Sequence, residues 1–114
     1  MCGRYASSRK PEDLVEEFEI RTSKVDEALA PDYNVAPTKP VYAVMERSPS
    51  ARDAEEREPP ERQLRVLTWG LVPSWAKDPK IGNRLINARV ETLAGKPSWR
   101  SPFRRQRAVI PAAG

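Results

Sequence analysis

The sequence predicts a small domain of the α/β (α+β) class, in which short helices flank extended segments. Three observations support this prediction. The apolar run from Val41 to Met45 is followed, after a polar stretch, by a second run from Leu64 to Trp69, as expected for paired strands. Twelve prolines indicate many turns and extended segments. A chain of 114 residues is long enough for one domain with a single modest core.

Most of the predicted elements are short. In chain order they are an extended start at 2–7, a helix at 11–18, a helical turn at 25–29, an extended segment at 32–37, strands at 41–45 and 64–69, an extended segment at 85–91 leading into a helix, a helix at 98–104 and a strand at 108–111. The first helix is predicted because proline suits a first turn and Leu14, Val15 and Phe18 share one face. The segment that ends at Pro37 is extended because a residue preceding proline disfavours the helical conformation.

Residues 48–62 differ in composition from the rest of the chain. This stretch, SPSARDAEEREPPER, contains three prolines and no large apolar residue. Because it has nothing to bury, we expect a disordered or solvated hairpin loop between two strands rather than a linker between domains.

The net charge of +4 conceals an uneven distribution along the chain. Residues 1–62 carry 10 basic and 14 acidic side chains, whereas residues 77–107 carry 9 basic and 2 acidic ones. Three tryptophans, Trp69, Trp75 and Trp99, lie in or near this basic half. Cations that hold phosphates and aromatic faces that stack on bases are typical of nucleic-acid surfaces. A solvated basic face with structural tryptophans would have the same composition.

Cys2 is the single cysteine, and removal of Met1 would make it the N-terminus. Its α-amine and thiol would then stand on adjacent carbons, with ordinary pKa values of roughly 8 and 8.5. Together they can capture one aldehyde, because the amine forms an imine and the thiolate then closes a five-membered thiazolidine. A lone cysteine is also commonly a small buried apolar residue, and its position alone does not separate the two roles.

The composition excludes several classes of site. The absence of histidine removes serine–histidine and cysteine–histidine catalysis and, with one cysteine, most zinc sites. We therefore expect neither a metal nor another cofactor. One cysteine cannot form an internal disulfide, so we expect a reducing, cytoplasmic compartment. We expect no signal peptide, because Arg4, Arg9 and Lys10 interrupt any apolar run near the start. The sequence has no apolar run of about 20 residues, so we also expect no membrane partner.

Four short motifs together resemble one known family. They are MCGR at Met1–Arg4, YNVAP at Tyr33–Pro37, WGLVPSW at Trp69–Trp75 and INARVE at Ile86–Glu91. Each is weak alone, but their order and joint presence outside the 48–62 loop make the likeness specific. The chain resembles the SOS-response-associated peptidase (SRAP) family, whose members are also called abasic-site processing proteins. With this resemblance, Cys2 is identified as a functional residue.

The resemblance implies a fold built around a curved, barrel-like β-sheet, with a positively charged cleft for single-stranded DNA. It implies that Cys2, exposed by loss of Met1, forms a thiazolidine with the ring-opened aldehyde of an abasic site. The resulting DNA–protein crosslink would shield the lesion from strand cleavage in the DNA damage response. The partner would be single-stranded DNA with abasic sites. We expect a monomer in the cytoplasm, associated with the nucleoid.

The resemblance also implies roles for individual side chains. The implied catalytic residues are Cys2 and Asn87, and the implied DNA-binding residues are Arg4, Asn34, Trp75 and Arg89. The asparagines match family positions that orient the aldehyde or the terminal amine, and the arginines match positions near phosphates. Trp75 matches an aromatic wedge that stacks beside the lesion. Ordinary structural roles stay open, since Asn34 would also cap a turn and Trp75 would also fill a core.

The chain departs from the family pattern on its C-terminal side. Family members continue beyond the segment that resembles Ile110–Gly114, into motifs carrying a glutamate and a histidine that serve as acid/base groups. We therefore expect residues 1–114 to be the N-terminal part of a single SRAP domain, truncated relative to the family.

Two other function classes remain open. In a peptidase or autoprocessing enzyme, Cys2 would attack a peptide carbonyl with its own amine as base. In a non-catalytic single-strand binding module, the basic half would bind DNA and Cys2 would be incidental. An imine formed by the amine would also allow a lyase side reaction, in which β-elimination cuts the strand at the lesion.

Overall fold

The computed structural model describes residues 2–48 and 59–113 of the chain. Its elements are β1 (Tyr5–Ser7), α1 (Pro11–Glu17), β2 (Thr22–Ser23), β3 (Asp32–Val35), β4 (Pro40–Arg47), β5 (Glu61–Thr68), a 3-10 helix (Pro79–Asn83) and α2 (Pro97–Arg105). The mixed α and β class is therefore confirmed. Within these described ranges, no helix is long and apolar enough to cross a membrane.

The predicted hairpin forms the centre of the larger sheet. β4 and β5 pair antiparallel from Pro40 opposite Thr68 to Arg47 opposite Glu61, and β2 adds a parallel strand on the other side of β5. Both predicted strands are confirmed and prove longer than expected. Of the predicted loop 48–62, residues 49–58 lie outside the described residues, and Glu61 and Arg62 belong to β5 instead.

The core lies on one face of this hairpin, under α1. Alternate residues of a strand point to opposite faces, and one face of β4–β5 packs against α1 and the segment after it. The buried members of this cluster are Leu14, Ile20, Tyr42, Val44 and Leu64. The other face carries Val41 and Leu67, which line a cleft described below. β4 is therefore buried on both of its faces over residues 41–44.

A second, two-stranded sheet places the N-terminus. β1 pairs antiparallel with β3, with Tyr5 opposite Val35 and Ser7 opposite Asp32. The register shifts between these two pairs, so the strands are irregular. The two sheets are separate in the described part of the chain and form no closed barrel there. The barrel-like sheet thus stays a prediction.

The two predicted helices are confirmed. α1 begins with Pro11, whose missing N–H costs nothing in a first turn, and Glu12 and Asp13 lie near its positive dipole end. α2 likewise begins with a proline, Pro97, and ends with Arg104 and Arg105 near its negative end.

Three weaker predictions are wrong. Residues 25–29 form no helical turn, because the Leu29 N–H donates to the Tyr42 hydroxyl oxygen at 2.6 Å instead of to a helical carbonyl. No helix directly follows the segment at 85–91, since residues 90–95 form successive turns. The predicted strand at 108–111 is reduced to one bridge between Val109 and Val44, because Pro111 has no N–H to continue a ladder.

Candidate functional site

Cys2 lies in extended chain ahead of β1, and its side chain is exposed. The thiol lies 3.7 Å from the carbonyl oxygen of Arg4, a weak contact. A thiol in this position is open to a ligand from solvent. Cys2 is therefore not the small buried apolar residue that was its alternative role.

Asn87 contacts Cys2 across 85 positions of sequence. Its side-chain amide Nδ2 donates a hydrogen bond to the Cys2 carbonyl oxygen at 2.8 Å. The structure therefore brings together the two residues that were predicted to be catalytic. The Asn87 amide therefore holds the carbonyl end of the Cys2 backbone.

The segment that carries Asn87 is held by the chain that leaves β5. The Leu71 N–H donates to the Leu85 carbonyl oxygen at 3.0 Å, and the Trp69 indole N–H donates to the Ile86 carbonyl oxygen at 3.1 Å. These two bonds fix the residues immediately before Asn87. The motifs at 69–75 and 86–91 are thus joined in space as one unit.

Gly70 makes this close approach possible. Its φ of 133° is rarely adopted by residues with a side chain, and a Cβ on Gly70 would lie 2.5 Å from the Gly82 carbonyl oxygen. Gly82 belongs to the 3-10 helix and is itself buried. Two glycines therefore set how closely the chain after β5 packs on the 3-10 helix.

Cys2 and Asn87 open onto a cleft of about 590 Å³, here called the Cys2 cleft. Its wall is mainly apolar and includes three aromatic rings, Tyr5, Trp69 and Trp99. Tyr5 and Trp69 meet edge to face, with ring centroids 5.7 Å apart. Aromatic faces beside a nucleophile suit a planar base or a sugar ring, because such faces bind by stacking and apolar contact. No cluster of metal-binding side chains occurs among the described residues.

These three aromatic residues were not among the predicted catalytic and DNA-binding residues. A signal for two of them existed, since Trp69 and Trp99 were noted as tryptophans in or near the basic half and Trp69 also stands in a quoted motif. Tyr5 follows MCGR directly, and its position by itself does not indicate a wall of the Cys2 cleft.

Tyr5, in the wall of this cleft, and Asp32, opposite Ser7 on β3, have pKa values shifted from their ordinary ones. Burial raises the pKa of the Tyr5 phenol, and the negative charges of Asp32 and Cys2 add to the effect. The pKa of Asp32 is lowered, first by a hydrogen bond from the Asn34 N–H at 2.9 Å and then by one from Lys39 Nζ at 2.9 Å. At neutral pH the phenol is therefore protonated and the carboxylate ionised.

The other predicted site residues lie on the surface around the cleft. Arg4 is exposed beside Cys2, where its positive charge helps to lower the pKa of Asp32. Asn34 is exposed on β3, Trp75 is 58% exposed in the turn after β5, and Arg89 is exposed two residues beyond Asn87. None of these four lines the Cys2 cleft. Their contact with DNA stays a prediction.

Comparisons with known proteins give the chain a family. The family model described as SOS response associated peptidase (SRAP) matches residues 1–114. The abasic site processing protein YoqW of Bacillus subtilis is 39% identical over 112 residues, which cover 98% of this chain and 45% of that protein. YedK of Escherichia coli, likewise named an abasic site processing protein, is 34% identical over 118 residues, which cover 100% of this chain and 46% of YedK.

A vertebrate relative shows the same pattern. The abasic site processing protein HMCES of Xenopus tropicalis is 27% identical over 129 residues, which cover 100% of this chain and 38% of HMCES. The chain thus spans less than half the length of these relatives. Because the family model matches residues 1–114, the chain belongs to the SRAP family.

Proposed function

We propose that the full-length protein captures abasic sites in single-stranded DNA by a covalent bond to Cys2. The observation that carries this proposal is the hydrogen bond from Asn87 to the Cys2 carbonyl at the mouth of an aromatic cleft. The names of YoqW, YedK and HMCES support abasic DNA as the substrate class. The crosslink would keep the lesion from being cut until repair.

The reaction uses both groups of an N-terminal cysteine. After Met1 is removed, the Cys2 amine attacks the aldehyde carbon of the ring-opened sugar, and loss of one water gives an imine. The thiolate then adds to the same carbon and closes the ring. A C–N and a C–S bond replace the C=O bond, and the thiol proton ends on the ring nitrogen.

The surrounding residues have separate roles in this scheme. Asn87 holds the backbone of Cys2 so that amine and thiol converge on one carbon. Tyr5, Trp69 and Trp99 receive the sugar and its neighbouring base. For the exposed residues around the Cys2 cleft, the proposed roles are phosphate contacts for Arg4 and Arg89, orientation of the sugar for Asn34, and stacking on a base for Trp75.

Residues 1–114 are proposed to be the N-terminal part of one SRAP domain. The share of the relatives that the chain covers, 45% for YoqW, supports this. The family's acid/base glutamate and histidine would then come from elsewhere in the full-length protein. A positioned acid or base typically contributes on the order of 10²–10⁴-fold to a rate, so residues 1–114 alone would react slowly.

The nucleophile is tested by incubating the full-length protein with an abasic oligonucleotide, an intact one and a peptide, and measuring adduct mass. Cys2→Ala should abolish the stable adduct and leave binding of intact DNA nearly unchanged. A variant with residues fused ahead of Cys2 should also form none, because its α-amine is an amide. Equal crosslinking by this extended variant would rule out the thiazolidine.

The same assay separates the alternatives. Peptide cleavage that is lost in Cys2→Ala, without any DNA adduct, would indicate the peptidase. Binding of intact and abasic DNA with no adduct would indicate a non-catalytic binding module. A cut oligonucleotide would indicate a lyase reaction.

A further inference from the structure

The Cys2 cleft contains no lysine, arginine, aspartate or glutamate among the described residues that line it. The nine basic side chains of residues 77–107 therefore lie outside its wall, and so does Arg4. An ionised group that entered such a cleft would lose water without gaining a counter-ion, which is costly. The interior of the cleft thus suits an uncharged ligand.

The polar side chains of this wall offer a ligand few hydrogen bonds. The Trp69 indole N–H already donates to the Ile86 carbonyl oxygen at 3.1 Å, and Asn87 Nδ2 donates to the Cys2 carbonyl oxygen at 2.8 Å. The Tyr5 hydroxyl oxygen is buried, so Tyr5 offers a ligand its ring instead. The free binding capacity of the wall is therefore mainly apolar and aromatic.

The apolar part of the wall is open to solvent. Leu67 of β5 is 41% exposed, and Ile110 is 44% exposed. A volume of about 590 Å³ falls within the range of roughly 300–1,000 Å³ that is typical of small-molecule sites, which are mostly apolar. Exposed apolar surface of this kind marks binding sites. An apolar chain or ring bound here would leave water directly beside Cys2.

We infer that the Cys2 cleft also binds free, uncharged aldehydes with an apolar chain or ring, and that Cys2 captures them as thiazolidines. This inference rests on the proposed function for the free α-amine of Cys2. The apolar part of the aldehyde packs against Leu67, Trp69 and Trp99 while its carbonyl carbon meets the two nucleophiles. Such an aldehyde occupies the place proposed for the abasic sugar, so the two compete for one residue.

The capture needs no further reactant. The Cys2 amine attacks the carbonyl carbon, and loss of one water gives a C=N bond. The thiol then adds across this bond, so that its sulfur bonds to carbon and its proton moves to nitrogen. The adduct therefore weighs as much as the protein and the aldehyde together, less one water.

The first test varies the length of the aldehyde. Unbranched saturated aldehydes from propanal to octanal have carbonyl groups of similar reactivity, and they have no C=C bond to which the thiol could add. Initial rates of adduct formation with the full-length protein are measured by intact mass. The rate should rise by up to about fourfold for each added CH₂ group, the gain expected from its burial, until the cleft is full.

The control for chain length is a free peptide with the sequence of Cys2–Ser7, CGRYAS, which has the same nucleophiles and no cleft. Its rate should be nearly independent of chain length. An equal dependence on chain length in protein and peptide would overturn the inference.

The second test varies the charge of the aldehyde. Glyoxylate carries a carboxylate next to its aldehyde group, and its rate with the protein is divided by its rate with the peptide. This ratio should be at least about tenfold lower than the same ratio for hexanal, because the cleft offers the carboxylate no cation. Equal ratios would contradict the inference.

The third test compares two aromatic residues of α2. Trp99 lines the Cys2 cleft, whereas Phe103 does not. Trp99→Ala should lower the rate with hexanal about tenfold, since an aromatic ring contributes a large apolar contact. Its rate with propanal should change little, which also shows that the site is intact. Phe103→Ala should leave both rates nearly unchanged. Equal losses with hexanal in the two variants would overturn the contact.

Competition with DNA separates this inference from the proposed function. Crosslinking to an abasic oligonucleotide is measured after incubation of the full-length protein with hexanal or propanal at equal concentration. Hexanal should block the crosslink, and propanal should block it much less. Crosslinking to DNA without any effect of chain length would overturn the inference alone. Failure of both DNA and aldehydes to form adducts would overturn the proposed function as well.

Discussion

At the scale of single residues, the proposed chemistry depends on the contact between Asn87 and Cys2. Cys2 is exposed, and an exposed segment has many orientations. The hydrogen bond at 2.8 Å restricts them. A net value of about 0.5–1.5 kcal/mol is typical for such a bond. In the proposed reaction, this bond acts on the approach of the amine and the thiol to the aldehyde.

We predict that Asn87→Ala slows crosslinking of abasic DNA about threefold to tenfold, the range that the net worth of one hydrogen bond allows. Its affinity for intact single strands should change less than twofold, because the side chain is not proposed to hold phosphates. The control is Asn83→Ala, at an exposed asparagine of the 3-10 helix. Single-turnover crosslinking rates and binding curves for intact single strands are compared between the two variants. An equal loss of rate and affinity would move Asn87 from positioning to general DNA binding.

At the scale of elements, the crossing of the chain after β5 over the 3-10 helix positions the site. The crossing depends on Gly70 and Gly82, and it brings Leu85 and Ile86 into hydrogen bonds with the segment at 69–71. Asn87 follows directly. A shift of this crossing would therefore displace Asn87 from Cys2, although neither glycine contacts the thiol.

Gly70→Ala is expected to destabilise the protein by about 1–3 kcal/mol, because the methyl group would meet backbone atoms of Gly82 and the φ is strained. Crosslinking should slow as well. Gly95→Ala is the matched control, since a Cβ there meets nothing within 4 Å. Its free energy of unfolding should lie within about 0.5 kcal/mol of that of the native protein. Urea unfolding of the two variants provides the comparison. Equal free energies of unfolding for Gly70→Ala and Gly95→Ala would show that the backbone at this crossing adjusts to the added methyl group.

At the scale of the whole molecule, the described chain has one small core and one uncovered face. The buried cluster lies between α1 and one face of the β4–β5 hairpin. On the other side, Leu67, Val109 and Ile110 are 41%, 54% and 44% exposed. The contact of residues 108–111 with β4 is a single bridge. Burial of apolar area is the main stabilising term in folding, so this arrangement is expected to be marginal by itself.

The isolated segment 1–114 should therefore be aggregation-prone or partly unfolded. We expect a broad thermal transition by circular dichroism, and apolar surface detectable with a hydrophobic dye. The full-length protein should melt cooperatively and serves as the control. A sharp transition from a soluble monomer of residues 1–114 would show that these residues fold without further chain.

What the sequence determined by itself was local. Proline placement and apolar spacing were enough for α1 and α2, and the two apolar runs were enough for β4 and β5, because these features depend on neighbours within a few residues. The chemistry proposed for Cys2 also came from the sequence, since an amine and a thiol on adjacent carbons need no fold to be recognised. The predicted helical turn at 25–29 was wrong, because the Leu29 N–H donates to the Tyr42 hydroxyl oxygen of β4 instead of to a helical carbonyl.

Only the tertiary structure decided which distant residues meet. The contact of Asn87 with Cys2 spans 85 positions, and β2 pairs with β5 across about 40. The aromatic wall of the Cys2 cleft joins residues from several elements. No local pattern encodes such meetings, because they follow from how sheets and helices pack and how closely glycines let backbones approach. The sequence therefore contained the reactive group, and the fold supplied its surroundings.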